Sequence, residues 1–117
     1  MARGDCRALG RLPGIYPSGP DDEKRFVYRC WMEEGRQEMD ACIGMMHIAD
    51  RASIPAIIDV LRRNEPILHP NGQWTIIDTS GACLAALGTA TGLPGPELKA
   101  MARQWSPAWR AWADQRP

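Results

Sequence analysis

Four cysteines, two histidines, five tryptophans and a scatter of arginines are the side chains of this 117-residue chain best suited to chemistry or recognition. An even set of four cysteines, Cys6, Cys30, Cys42 and Cys83, permits three disulfide pairings in an exported protein. No two of them are separated by two residues, so neither a zinc ribbon nor a redox dithiol is indicated. Cys30, Cys42 and Cys83 fall inside apolar stripes beside Val27, Ile43 and Leu84, where an unpaired cysteine packs as a small hydrophobe. The expectation is buried free thiols in a reduced, cytoplasmic setting. The segment from Met1 to Leu12 agrees, because Arg3, Arg7 and Arg11 leave no continuous apolar core for a secretory signal.

The remaining candidates divide between scaffold and recognition. His47 lies five residues after Cys42, whereas ligands on one helix face prefer spacings of three or four, so no metal site is expected. His69 sits beside Pro70 in a turn, on a loop that can carry binding residues. Asp78, Thr79 and Ser80 are residue types that satisfy the free amides of a helix start, and capping explains them more simply than catalysis. Neither a nucleophile-elbow glycine pattern nor a phosphate loop accompanies them. Trp105, Trp109 and Trp112 stand at i, i+4 and i+7. They read as a hydrophobic lid or, flanked by Arg103 and Arg110, as an interface anchor, since Trp and Arg dominate binding hot spots. Arg62 and Arg63 form a small basic pair among Asp50, Asp59 and Glu65.

Helices must position these groups. Residues 1–20 hold four glycines and three prolines and read as an irregular arm, with the domain proper over 21–117. Asp21, Asp22 and Glu23 then supply the negative charge a helix N-terminus favours, and Phe26, Val27, Cys30 and Trp31 follow at helical spacing up to Gly35. Met39, Cys42, Ile43 and Met46 make a second stripe. Ser53 offers a cap, and Ile54, Ile57, Ile58 and Leu61 form a third helix that ends before Pro66. Pro70, Asn71 and Gly72 signal a turn, with Trp74 to Ile77 briefly extended. Asp78 or Thr79 then caps a fourth helix carrying Cys83, Leu84, Leu87 and Ala90. A fifth carries Leu98, Met101, Ala102 and Trp105, and Ser106-Pro107 starts a last one.

The second and fourth helices share a pattern. Ala41-Cys42-Ile43-Gly44 and Ala82-Cys83-Leu84-Ala85 are offset by 41 residues, and Met46 falls opposite Leu87. Helix pairs with a period of about 40 to 47 residues are the signature of HEAT or armadillo arrays. The stretch from Ile48 to Leu61, with Asp50 in the turn and Ile54-Pro55-Ala56-Ile57-Ile58 opening the helix, resembles the start of a HEAT-like repeat. Cys83-Leu84-Ala85-Ala86-Leu87-Gly88 resembles its second helix, and the closing segment from Gly92 to Trp112 is similar to bacterial HEAT-like proteins that end in a glycine turn and a Trp-rich helix. The resemblance implies an all-α fold: a short right-handed α-solenoid of antiparallel helix hairpins, about two HEAT-like repeats plus a Trp-rich C-terminal capping helix. Two units are fewer than the three such stacks generally need, so self-association is expected unless the N-terminal arm completes the stack.

Composition narrows the function. Lys plus Arg and Asp plus Glu are both 14, and this zero net charge argues against a general nucleic-acid or anionic-membrane binder. No apolar run approaches the roughly 18 residues of a membrane span. The expectation is a protein-protein interaction module with no catalytic residues, metal or cofactor, acting on another protein or on a second copy of itself. The residues expected to bind are Arg62, Arg63, His69, Trp74, Trp109 and Trp112. Two other roles fit less directly: a small inhibitor or immunity protein neutralising a toxin or enzyme, and a lyase-like accessory enzyme of a HEAT-like family, which requires a reactive Cys or His.

Overall fold

The computed structural model describes residues 19–115. The expected arm over residues 1–20 therefore lies outside the described residues except for its last two positions. Six α-helices and a two-stranded hairpin make up these residues: α1 (Asp21–Glu34), α2 (Glu38–Met45), α3 (Ile54–Arg63), β1 (Ile67–Leu68), β2 (Trp74–Thr75), α4 (Asp78–Thr91), α5 (Gly95–Ala102) and α6 (Pro107–Asp114). The fold is mostly helical, as the stripes require.

Each helix boundary has a local cause. Pro20 precedes α1, whose first turn holds Asp21, Asp22 and Glu23 against the positive end of the helix dipole. Gly35 ends it at φ 71°, where the Gly35 amide bonds the Met32 carbonyl and the Arg36 amide bonds Trp31. That is a Schellman stop, which needs a residue free to turn left-handed. Ser106 accepts a hydrogen bond from the Trp109 amide at 3.2 Å and Pro107 occupies the first turn of α6, as its sequence signal predicts. Two other expected caps fail. Neither Asp78 nor Thr79 caps α4; the cap position is Ile77, and both residues lie inside the helix. Ser53 makes no capping bond either, because its hydroxyl donates to Asp50 across the 3-10 turn Arg51–Ser53.

The core follows from the stripes. Val27, Tyr28, Cys30, Trp31 and Met32 of α1 are buried with Ala41, Cys42 and Met45 of α2, Ile57, Val60 and Leu61 of α3, and Cys83, Ala86, Leu87 and Ala90 of α4. α1 packs on α2 and α3 on α4, while α2 also lies against α4 and α1 against α3. α4 is central because its sequence is mostly small: Gly, Ala, Cys and Thr let neighbouring backbones approach closely. Gly44 does the same for α2, since a Cβ there would lie 2.3 Å from Tyr28 Cζ.

The cysteines are not the free thiols expected from the sequence. Cys42 and Cys83 form a disulfide joining α2 to α4, with their Cα atoms 4.8 Å apart, and Cys30 is disulfide-bonded as well. Burial in an apolar stripe suits a half-cystine as well as a thiol, so the stripe could not tell them apart. The bond joins positions 41 residues apart, the same offset that relates the two Ala-Cys segments.

Two polar clusters tie the helix ends together. Glu38 accepts from Arg63 Nε at 3.1 Å and from Asn64 Nδ2 at 3.1 Å, Arg63 also donates to the Met32 carbonyl at 2.8 Å, and Ser80 Oγ donates to the Asn64 carbonyl. This joins the ends of α1 and α3 to the starts of α2 and α4. Arg29, at 3.5 Å from Asp50, links α1 to the turn before α3.

Candidate functional site

The β1–β2 hairpin stands out because three of its four strand residues, Ile67, Leu68 and Thr75, are exposed. Ile67 pairs with Thr75 and Leu68 with Trp74. The turn is the one Pro70-Asn71-Gly72 predicts: the Gly72 amide bonds the His69 carbonyl at 2.9 Å, Gly72 takes φ 87°, and the Asn71 side chain accepts from the Gln73 amide at 2.9 Å. A two-stranded hairpin is marginal alone. Here Gln115, beyond the end of α6, holds it from the side. The Trp74 amide donates to Gln115 Oε1 at 2.9 Å, and Gln115 Nε2 donates to the Trp74 carbonyl at 2.7 Å. One side-chain amide thus supplies the pairing a third strand would give. His69 Nε2 lies 2.6 Å from Thr75 Oγ1 across the base of the turn.

On this pinned hairpin Ile67 is 48% exposed and Leu68 54%. The sequence reading passed over both. Their signal was an apolar pair directly after Pro66, outside every helical stripe and next to a strong turn. His69 and Trp74, which the sequence did single out, lie on the same hairpin, His69 exposed and Trp74 half-buried. Arg62 is exposed in the last turn of α3, five residues before the hairpin begins at Ile67.

Three of the expected binding residues are placed otherwise. Arg63 is committed to Glu38 and the Met32 carbonyl, so it clamps helix ends. Trp109 has no exposed surface, and its Nε1–H donates to the Leu61 carbonyl at 2.7 Å. It is a core residue and cannot anchor a partner. Periodicity marked the face of the helix correctly, but that face points inward. Trp105, Trp109 and Trp112 form an edge-to-face chain with centroid separations of 5.2 and 5.3 Å, closing the core over α3. Trp112, at its outer end, is half-buried and lines a separate groove with Leu84, Gly95, Pro96, Leu98 and Lys99.

His47 is exposed, and Cys42, with which no pairing was expected, is held in the disulfide to Cys83. Among the described residues no cluster of His, Cys, Asp and Glu is placed to hold a metal ion, and no helix is long and apolar enough to cross a membrane. Burial raises the pKa of the Tyr28 phenol above its ordinary value, so it stays neutral at any physiological pH. No protein-family profile, no curated protein and no solved structure matches this chain.

Proposed function

We propose that this chain is a non-catalytic protein-interaction module of HEAT-repeat type, with α1–α2 and α3–α4 as two repeats and α5–α6 as their Trp-rich cap. Support for the repeat reading comes from the packing of α1 on α3 and α2 on α4, and from a disulfide between positions related by the 41-residue offset. The recognition surface in this proposal is the hairpin end: Ile67, Leu68, His69 and Trp74, with Arg62 at its rim. One observation carries it. The two most exposed large apolar side chains among the described residues are consecutive on a hairpin that Gln115 holds from the side at Trp74. Side chains on a rigid element lose little conformational entropy on binding, and Trp74 and Arg62 beside this apolar pair are of the residue types that dominate hot spots.

The disulfide-bonded Cys30, Cys42 and Cys83 favour an oxidising compartment over the cytoplasmic setting expected from the sequence, because such bonds are rare where thiols are kept reduced. The same cross-linking favours, as a second reading, a small inhibitor or immunity protein that acts outside the reducing cytosol. A lyase-like role through cysteine gains no support from these three residues, which supply no thiolate while bonded.

The test is capture of partners by the folded wild type, Leu68→Asp and Gln115→Ala, each checked for helicity by circular dichroism. The proposal expects one stoichiometric protein partner, weakened at least tenfold by Leu68→Asp and less by Gln115→Ala, which loosens the hairpin. Undiminished capture by Leu68→Asp would remove the hairpin from the interface. Self-association lost with Leu68→Asp would make the partner a second copy.

A further inference from the structure

A second surface, on the groove between α4, α5 and α6, has a chemistry of its own. Leu84, Pro96, Leu98 and the ring of Trp112 give it an apolar lining, and it encloses about 600 Å³, within the range of small-molecule sites, roughly 300–1,000 Å³. Its single charged lining residue is Lys99, whose Nζ stands 5.5 Å from the centroid of the Trp112 ring. No carboxylate among the described residues lies within ion-pair distance of that ammonium. Asp114, the acidic residue on α6, is held by Arg103 at 3.0 Å. Glu97 is two residues from Lys99 on the same helix, a spacing that turns the two side chains apart.

We propose that this groove binds one small anionic amphiphile: an alkyl or aryl chain lying along Leu84, Leu98 and Trp112, with a carboxylate on the Lys99 ammonium. The apolar walls favour the chain, and the unneutralised cation at their margin selects the sign of the head group. The other two grooves among those described lack this combination. The one between α1 and α2 holds Asp21 and Lys24 together, and the one beside α6 holds the already paired Arg103 and Asp114. This site is independent of the hairpin surface, and its failure would leave that reading untouched.

The probe is dodecanoate below its micelle concentration, titrated into the oxidised protein by calorimetry and by NMR of the five tryptophan indole N–H groups. Trp112→Phe identifies the Trp112 resonance. Expected are saturable one-to-one binding and a shift of the Trp112 indole with the Trp109 indole little changed. Lys99→Met, an exposed position that leaves the core intact, should weaken dodecanoate about tenfold. Dodecyltrimethylammonium should bind the wild type at least tenfold more weakly than dodecanoate. The proposal is overturned by an absence of saturation, by equal affinity for the two head groups, by a Lys99→Met variant that binds as wild type does, or by an unmoved Trp112 resonance.

Discussion

Replacing both members of the α2–α4 cross-link, Cys42→Ala with Cys83→Ala, isolates the largest single constraint on this fold. The bond closes a loop with a sequence separation of 41 residues. In the chain-entropy description, a loop of that length restrains the unfolded ensemble by about 13 cal/mol/K, or ~4 kcal/mol at 25 °C. Deleting two fully buried sulfur atoms adds a cavity cost of ~1 kcal/mol. A loss of ~4–5 kcal/mol is a large part of the 5–15 kcal/mol that a domain of this size has in total. It corresponds to a melting temperature lower by roughly 12–20 °C. Alanine is the right replacement, because serine would bury two hydroxyls and confuse the measurement. Urea unfolding followed by circular dichroism is the assay, in non-reducing buffer so that the Cys30 bond stays in place. Because the constraint acts on the unfolded chain, the variant should keep native helicity and show a steeper urea dependence as its unfolded state expands. A loss below ~1 kcal/mol with an unchanged slope would refute the reasoning.

Other expectations follow from single contacts. Trp109→Phe removes the indole donor to the Leu61 carbonyl, which keeps its 3.2 Å bond from the Asn64 amide, and leaves space where the larger ring packed; it should cost ~1–3 kcal/mol by the same urea assay, with Trp109→Ala near the upper end of ~3–5 kcal/mol. Gly44→Ala should destabilise by ~1–3 kcal/mol because its Cβ meets the Tyr28 ring, and the cost should shrink in a Tyr28→Leu background, a coupling that a double-mutant cycle measures. The raised pKa of Tyr28 means that the folded state holds the phenolic proton more tightly than the unfolded chain does. Its contribution is therefore complete below pH ~10 and lost as the pH climbs through the folded value. Spectrophotometric titration at 295 nm should show one phenol ionising later than in the urea-unfolded protein, and Tyr28→Phe should abolish that lag.

The helices were legible because their cause is local. The stripe Val27, Cys30, Trp31 and the stop at Gly35 give α1 to within a residue, and Pro70-Asn71-Gly72 gives the hairpin turn. The caps misread at Ser53 and Asp78 show the limit of that logic. Both residue types suit a cap, but Ser53 has a better partner in Asp50, and the cap position of α4, Ile77, lies one residue before its first candidate cap, Asp78. The state of the cysteines was not legible, since a thiol and a half-cystine are equally apolar, although the 41-residue offset already marked Cys42 and Cys83 as equivalent positions. The site was half visible. His69 and Trp74 were found because a loop between helices draws attention, whereas Ile67 and Leu68 were lost among apolar residues that are elsewhere core. Gln115 and Lys99 act through residues 41 and 13 positions away, Trp74 and Trp112, and no sequence spacing carries that information. Trp109 failed as an anchor for the converse reason: a stripe names a face without saying which side of the molecule covers it.

The most direct measurement of the interaction account is site-specific photo-crosslinking in the cells that make the protein, with a benzophenone amino acid at position 68 and, separately, at the exposed α3 position Asp59. The account predicts a discrete protein adduct at position 68 and none at position 59. No adduct at position 68, or the same pattern from both positions, would contradict it.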